Sequence, residues 1–348
     1  MAEQLIRVLV VDDSAYIRKV VKQMLSRSPF IEVVGIARDG AEALELAAAL
    51  QPDVITLDLM MSGMDGLAFI RQQMTVRPIP IVVVSIANEG SEAALDALEA
   101  GAVDFVQKPT ALATEKIYEL STALIEKVKA AAGATMAPAR PSVAPLAAPA
   151  APARAMGAAR ADIVVIGVST GGPQALKYLI PQLPGTFPVP ILIVMHMPIG
   201  YTELYARKLN DQSALTVAEA ADGDRLSAGG VLLAPGGQHL LLRRAPDGGP
   251  VVQLTARPID APYRPSVDML FRSAAEVYGD RVLGLVLTGM GSDGQQGAAW
   301  IKAKGGLVWT EAEASCVIYG MPRAVDEALL SDRQIPLTEL AQALMEVV

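Results

Sequence analysis

A chain of 348 residues with 52% hydrophobic and 4% aromatic residues has room for two domains, or three small ones, with well-buried α/β cores. A net charge of −8 argues against nucleic-acid binding, which favours a basic face, and the single Cys316 leaves no intrachain disulfide and suits a reducing compartment. The opening "MAEQLIRVLVVDD" has no signal-peptide features and no run reaches roughly 18 uninterrupted apolar residues, so the expectation is a soluble cytoplasmic protein without membrane insertion.

Residues 1–132 alternate short β-branched runs with amphipathic stretches. The runs "IRVLVVDD", "EVVGIA", "VITLD", "IVVVS" and "DFVQKP" read as strands, and "SAYIRKVVKQMLSRS" and "DGAEALELAAAL" as helices between them. The second helix opens with Asp39 and Glu42 at the spacing of a capping box. Five such repeats imply a parallel, doubly wound sheet. Polar residues sit where its strands end: Asp12 and Asp13 after the first, Asp58 after the third, Ser85 at the fourth, Lys108 near the fifth. In the order 2-1-3-4-5 the first and third strands are neighbours, and ligands bind at the carboxyl edge. Three carboxylates gathered there repel one another unless a cation joins them, and their hard oxygens suit Mg²⁺.

This half resembles the receiver domain of two-component response regulators over residues 5–122, with the last helix running to about 132. The motifs are "LVVDDS", "ITLDLMMSGMDG", "VVVSIA" and "GAVDFVQKP". The resemblance implies a flavodoxin-like fold in which Asp58 accepts a phosphoryl group from a histidine kinase while Asp12 and Asp13 help to hold Mg²⁺. Ser85 and Lys108 would bind phosphoryl oxygens, Phe105 would reorient on activation, and the Lys108–Pro109 bond would be cis. Ser62 departs from the proline usual there.

Residues 133–160 hold 12 Ala and 5 Pro with three Arg and no acid, and read as a semi-extended linker between two acidic flanks. In residues 161–348 the runs "DIVVIGV", "ILIVM", "VLGLVLT" and "GLVWT" predict a mainly parallel sheet of about seven strands. The pair "GVLLAP" and "HLLLRR", with "VVQLTA", predicts an antiparallel insert. Cys316, with no ligand set beside it, reads as a core residue.

The segment "VIGVSTGGPQAL" places Ser169 between Gly167 and Gly171 on a strand-to-helix turn, a geometry that exposes a hydroxyl and also one that binds phosphate. Taken alone, the nucleophile and anion-cradle readings are level. Only two histidines exist. His196 ends "ILIVMHMP" at a strand's carboxyl edge, on the rim shared with Ser169, and can act as base. His239 begins a strand and reads as structural. Asp293, in a Gly-rich turn after "VLGLVLT", can orient an imidazole, cap the following helix, or do both.

The order Ser169, His196, Asp293 differs from that of the α/β-hydrolases. Instead, 161–348 resembles the catalytic domain of chemotaxis-type protein-glutamate methylesterases through "IGVSTGGP", "HMP", "APGGQHL", "RPSVDMLFRSAAEVYG", "LTGMGSDG" and "YGMPRAV". The resemblance implies a Rossmann-like esterase domain with a Ser169–His196–Asp293 triad. Thr170 and Met290 would line the site, and the Met290 N–H would serve as an oxyanion donor. No cofactor is implied for ester hydrolysis, and the substrates are methyl-accepting chemoreceptors, with glutamine deamidation as a second activity. Met195 departs from the glutamine common before the histidine. Two other classes compete: a phosphorylation-controlled nucleotide-binding enzyme, disfavoured because the loop lacks GxGxxG, and a non-catalytic partner-binding output module.

Overall fold

The structure, a computed structural model, describes residues 5–85, 91–108, 114–134, 136 and 161–348. The chain divides into two compact units, before and after position 141/142. Among the described residues no helix is long and apolar enough to cross a membrane.

The first unit runs β1 (Ile6–Val11), α1 (Ala15–Leu25), β2 (Ile31–Ala37), α2 (Gly40–Leu50), β3 (Val54–Leu57), α3 (Gly66–Val76), β4 (Ile81–Ser85), α4 (Ser91–Glu99), β5 (Asp104–Gln107) and α5 (Thr114–Ala132). Its sheet is parallel in the order β2-β1-β3-β4-β5, as the strand pattern predicts. β3 and β4 are buried along their whole length, which is why they read as continuous apolar runs and not as alternation. The Asp39 carboxylate caps α2 by accepting from the Glu42 N–H at 2.9 Å. Glu42 reaches back one residue further than a capping box requires, to the Arg38 N–H at 2.8 Å. The Lys108–Pro109 bond and nearly all of the 133–160 linker lie outside the described residues.

The second unit runs β6 (Ile163–Val168), α6 (Gly172–Leu179), β7 (Ile191–Met195), α7 (Thr202–Asp211), β8 (Thr216–Glu219), β9 (Gly230–Leu233), β10 (His239–Arg244), β11 (Pro250–Thr255), α8 (Val267–Tyr278), β12 (Val282–Val286), α9 (Gln295–Ala303), β13 (Leu307–Glu311), α10 (Met321–Glu327), β14 (Arg333–Ile335) and α11 (Leu337–Val347). Seven strands form one sheet in the order β14-β13-β12-β6-β7-β9-β8, with every pairing parallel. The sequence order reverses between β6 and β12, and that reversal opens a crevice at the strands' carboxyl ends.

One expectation needs correction. "GVLLAP" is not part of the antiparallel insert: β9 lies in the main sheet, parallel to β7, with Val231 and Leu233 buried. The insert is the β10–β11 hairpin alone. The glycines after β9 serve a crossover to that hairpin and not a turn between paired strands. Strands β8 and β14 were not anticipated. α8 lies against β6 and β10 and fills the core with Leu270, Phe271 and Ala274, each fully buried.

Candidate functional site

β12, β6 and β7 are adjacent, so the loops after them meet at one edge of the sheet. Ser169 follows β6. Its N–H donates to the Thr288 carbonyl (3.0 Å), and its carbonyl accepts from Gly172 N–H (2.7 Å), which closes the turn into α6. Gly171 takes φ +79° in that turn, a conformation that a side chain would strain. Gly289 permits the second close approach: a Cβ there would stand 2.7 Å from the Ser169 Cβ.

His196 follows β7, and its N–H donates to the Val168 carbonyl at 3.1 Å, which fixes it beside the serine's own strand. Its ring Nε2 lies 2.8 Å from Asp293 Oδ2. Nδ1 is buried and has no hydrogen-bond partner, so it is not bonded to the Ser169 hydroxyl. Catalytic hydrogen bonds are commonly loose before substrate arrives.

Asp293 is 5% exposed and heavily ligated. It accepts from Ser266 Oγ (3.0 Å) and from the backbone N–H groups of Val267 (2.7 Å) and Asp268 (3.0 Å) as well as facing His196. Burial would push its pKa up, but the histidine and these donors hold it below the usual carboxylate value. The sequence left open whether Asp293 orients the imidazole or caps the following helix. It faces His196, and the helix whose N–H groups it takes is α8, not α9. That second role falls to Asp268, which accepts from Gly294 (2.9 Å) and Gly297 (2.7 Å). Burial and the neighbouring Asp293 charge raise Asp268 to about 6.

Thr170 is buried, and its carbonyl accepts from Thr288 Oγ1 at 3.0 Å. Met290 is half-buried on the turn beyond Gly289, and its N–H has no acceptor among the described residues. Gly320 and Met321 clamp this turn by donating to the Gly289 carbonyl. Met195 is buried in β7 and His239 is fully buried in β10. Tyr263 was not singled out from the sequence, yet its ring lies against His196 with centroids 4.4 Å apart. Only its position three residues before Ser266 in "YRPSVD" could have drawn attention to it. Cys316 is buried, as the sequence suggests.

In the first unit, carboxylate oxygens of Asp12, Asp13 and Asp58 lie within 4.8 Å of one another. Asp12 and Asp58 are buried and Asp13 exposed. Lys108 Nζ sits between the buried pair, 2.7 Å from Asp12 and 2.8 Å from Asp58. Burial raises the Asp58 pKa against the lowering effect of Lys108. Three hard oxygen donors with one open to water fit a divalent cation such as Mg²⁺. Ser85 is buried at the end of β4, and its carbonyl accepts from the Lys108 N–H at 2.6 Å. Phe105 is buried on β5, with Lys127 Nζ 5.7 Å from its ring centre.

A parallel sheet with acids at its switch point precedes a second sheet whose crevice gathers a serine, a histidine and an aspartate. Both halves of the chain match known families. Residues 8–119 match the response regulator receiver domain model, and residues 164–344 match the CheB methylesterase model. The chain belongs to the CheB methylesterase family, with a receiver domain ahead of the methylesterase domain. It is 54% identical, over 95% of each chain, to protein-glutamate methylesterase/protein-glutamine glutaminase 5 of Myxococcus xanthus. It is 43% identical to the protein-glutamate methylesterase/protein-glutamine glutaminase of Symbiobacterium thermophilum, over 99% of this chain and 97% of that one. The crystal structure of the Thermotoga maritima CheB methylesterase catalytic domain superposes with a TM-score of 0.53 at 42% identity. It covers 54% of this chain and 99% of its own.

Proposed function

We propose that Ser169, His196 and Asp293 are the catalytic triad of a serine hydrolase that removes methyl groups from glutamate side chains of chemoreceptors and deamidates receptor glutamines. The observation that carries this reading is the 2.8 Å His196–Asp293 pair on the rim that also holds Ser169. Asp293 fixes the proton on Nε2, which leaves the Nδ1 lone pair to take the proton of Ser169 as its oxygen attacks the ester carbonyl. The tetrahedral oxyanion is stabilised by backbone N–H groups, among them that of Met290. The intermediate collapses as His196 returns the proton, and methanol leaves. Water, deprotonated by the same nitrogen, then hydrolyses the acyl-enzyme, freeing glutamate and Ser169. An amide follows the same path and releases ammonia.

In the receiver, Asp58 is the phosphoryl acceptor from a histidine kinase, and Asp12 and Asp13 would hold Mg²⁺ with it. The ion, when bound, offsets the charge of the incoming phosphoryl oxygens. Lys108 and Ser85 bind those oxygens once Asp58 is modified, and Phe105 answers by changing position. The three-carboxylate cluster and the bridging Lys108 support this assignment.

The test is methanol release from methylated receptor. Ser169→Ala and His196→Ala should each abolish it, because nucleophile and base act as a unit. A serine-directed organophosphonate should label Ser169 and fail to do so in His196→Ala. Turnover near wild type in Ser169→Ala would overturn the reading.

A further inference from the structure

The segment 256–266, between the β10–β11 hairpin and α8, is tied down at several points. Arg257 N–H donates to Thr255 Oγ1 (3.0 Å), Arg264 Nη2 to the Ile259 carbonyl (2.7 Å), and Gly237 N–H to the Arg264 carbonyl (3.2 Å). These ties present Tyr263 to the crevice. Its ring is stacked on His196 with 4° between the planes. Its hydroxyl lies over the Gly-rich turn, 2.6 Å from where a Cβ of Gly291 would stand. Tyr263 is 37% exposed, whereas the His196 side chain beneath it is only 11% exposed. An aromatic this open contributes little to a core, yet it lies flat against the imidazole.

We propose that Tyr263 is a positioning residue for ester hydrolysis: its ring fixes the plane of His196 so that Nε2 stays on Asp293 and Nδ1 is presented to Ser169. The effect is greatest where it matters for rate. The imidazole becomes a cation as Ser169 gives up its proton, and a π face beside a ring attracts the charged form more than the neutral one. The ring carries this role; the hydroxyl is not needed for it. This rests on the reading of His196 as the base.

The test uses the full-length protein and the first-order step of Ser169 inactivation by a small organophosphonate, together with kcat and KM for methanol release. Tyr263→Leu should slow the inactivation step and kcat roughly three- to tenfold, the range an aromatic stack is worth, with KM little changed. Tyr263→Phe should stay within about twofold of wild type on both measures. Thermal melting of both variants should stay close to wild type, because position 263 is partly open to solvent. Wild-type speed in Tyr263→Leu overturns the inference, and so does a Tyr263→Phe as slow as Tyr263→Leu. If Tyr263→Leu melts early, Tyr263→Phe against wild type still decides, since loss of rate on removing only the hydroxyl is incompatible with a role for the ring. His196→Ala in the same assay separates the two readings. Labelling of Ser169 that persists there removes the base, and a failure confined to Tyr263→Leu removes only the stack.

Discussion

His196 turns Nε2 toward Asp293, at 2.8 Å, and leaves Nδ1 buried without a hydrogen-bond partner, the nitrogen proposed to serve Ser169. In the chymotrypsin-type triad the two nitrogens are used the other way round. The exchange matters little for acid–base chemistry but fixes the required tautomer: the proton must sit on Nε2. Asp293→Asn keeps an oxygen for the Asp268 N–H but not for the Val267 N–H, which donates to the same Oδ2 that faces His196, and turns its NH₂ toward the ring. That forces the proton onto Nδ1, the wrong nitrogen to accept from serine. Methanol release should fall by about 10³- to 10⁴-fold while the fold survives. Turnover assays paired with thermal melts check this, and near-normal turnover would remove Asp293 from the orienting role.

Gly167 is expected to matter through packing, not through turn geometry. A Cβ there would stand 2.3 Å from Cγ1 of Val267, whose N–H is a ligand of Asp293. Gly167→Ala should cost about 1–3 kcal/mol in urea unfolding and lower kcat as well, since Val267 cannot yield without disturbing the carboxylate. Unchanged stability would show that α8 can shift freely.

His239 is fully buried, and desolvation holds its pKa below the ordinary 6.5, aided by the charge of Arg264 against the pull of the Pro258 carbonyl. The unfolded chain therefore takes up a proton that the folded one resists. The stability due to neutral His239 is full above about pH 6.5 and is lost as pH falls through that value toward the folded pKa. Melting temperature should drop between about pH 7.5 and about pH 5, with a shallower drop in His239→Gln. Parallel slopes would mean that other groups carry the acid sensitivity.

The two strand-end constellations were legible because buried parallel strands are nearly pure apolar runs, so the polar residue that ends each one stands out. Ser169, His196 and Asp293 could each be placed on a rim for that reason, and Asp12, Asp58, Ser85 and Lys108 likewise. Tyr263 was hidden because the segment that carries it has neither a 2.0 nor a 3.6 period to anchor it. Strands β8 and β14 are short and partly exposed sheet edges, with too few apolar positions to announce themselves. β9 was misplaced because "APGGQ" has the composition of a hairpin turn, while its partner β7 lies far away in sequence and no local pattern reveals that pairing.

Metal dependence should divide the molecule. Phosphorylation by a small-molecule phosphodonor should require Mg²⁺ and be absent in Asp58→Asn, read as phosphate incorporation. Ester hydrolysis by a 161–348 fragment should survive EDTA, because Ser169, His196 and Asp293 need no ion. EDTA-sensitive hydrolysis by that fragment would point to a metal-assisted mechanism.

Receiver control is read most simply as a brake that phosphorylation releases. Deleting residues 1–132 should raise basal methanol release, and Asp58→Asn should stay at the low basal rate with or without phosphodonor. A deletion that leaves activity unchanged or lower would mean that the receiver acts by positive means.

The contact between the Ser169 turn and the segment after β12 also has a consequence for the order of events during synthesis. Thr288 reaches back to Thr170 across 118 residues, and the Thr288 hydroxyl is itself held by the N–H of Ile318. The central strands β6 and β12 can pair only after that long loop has closed, which is the slow kind of step in folding. A nascent or truncated chain ending before Ile318 carries the serine, the histidine and the aspartate, but not the 318–321 segment that clamps the Thr288–Gly289 turn against Ser169. The seat of Ser169 is therefore completed only when the chain has been made through Met321, late in the second unit.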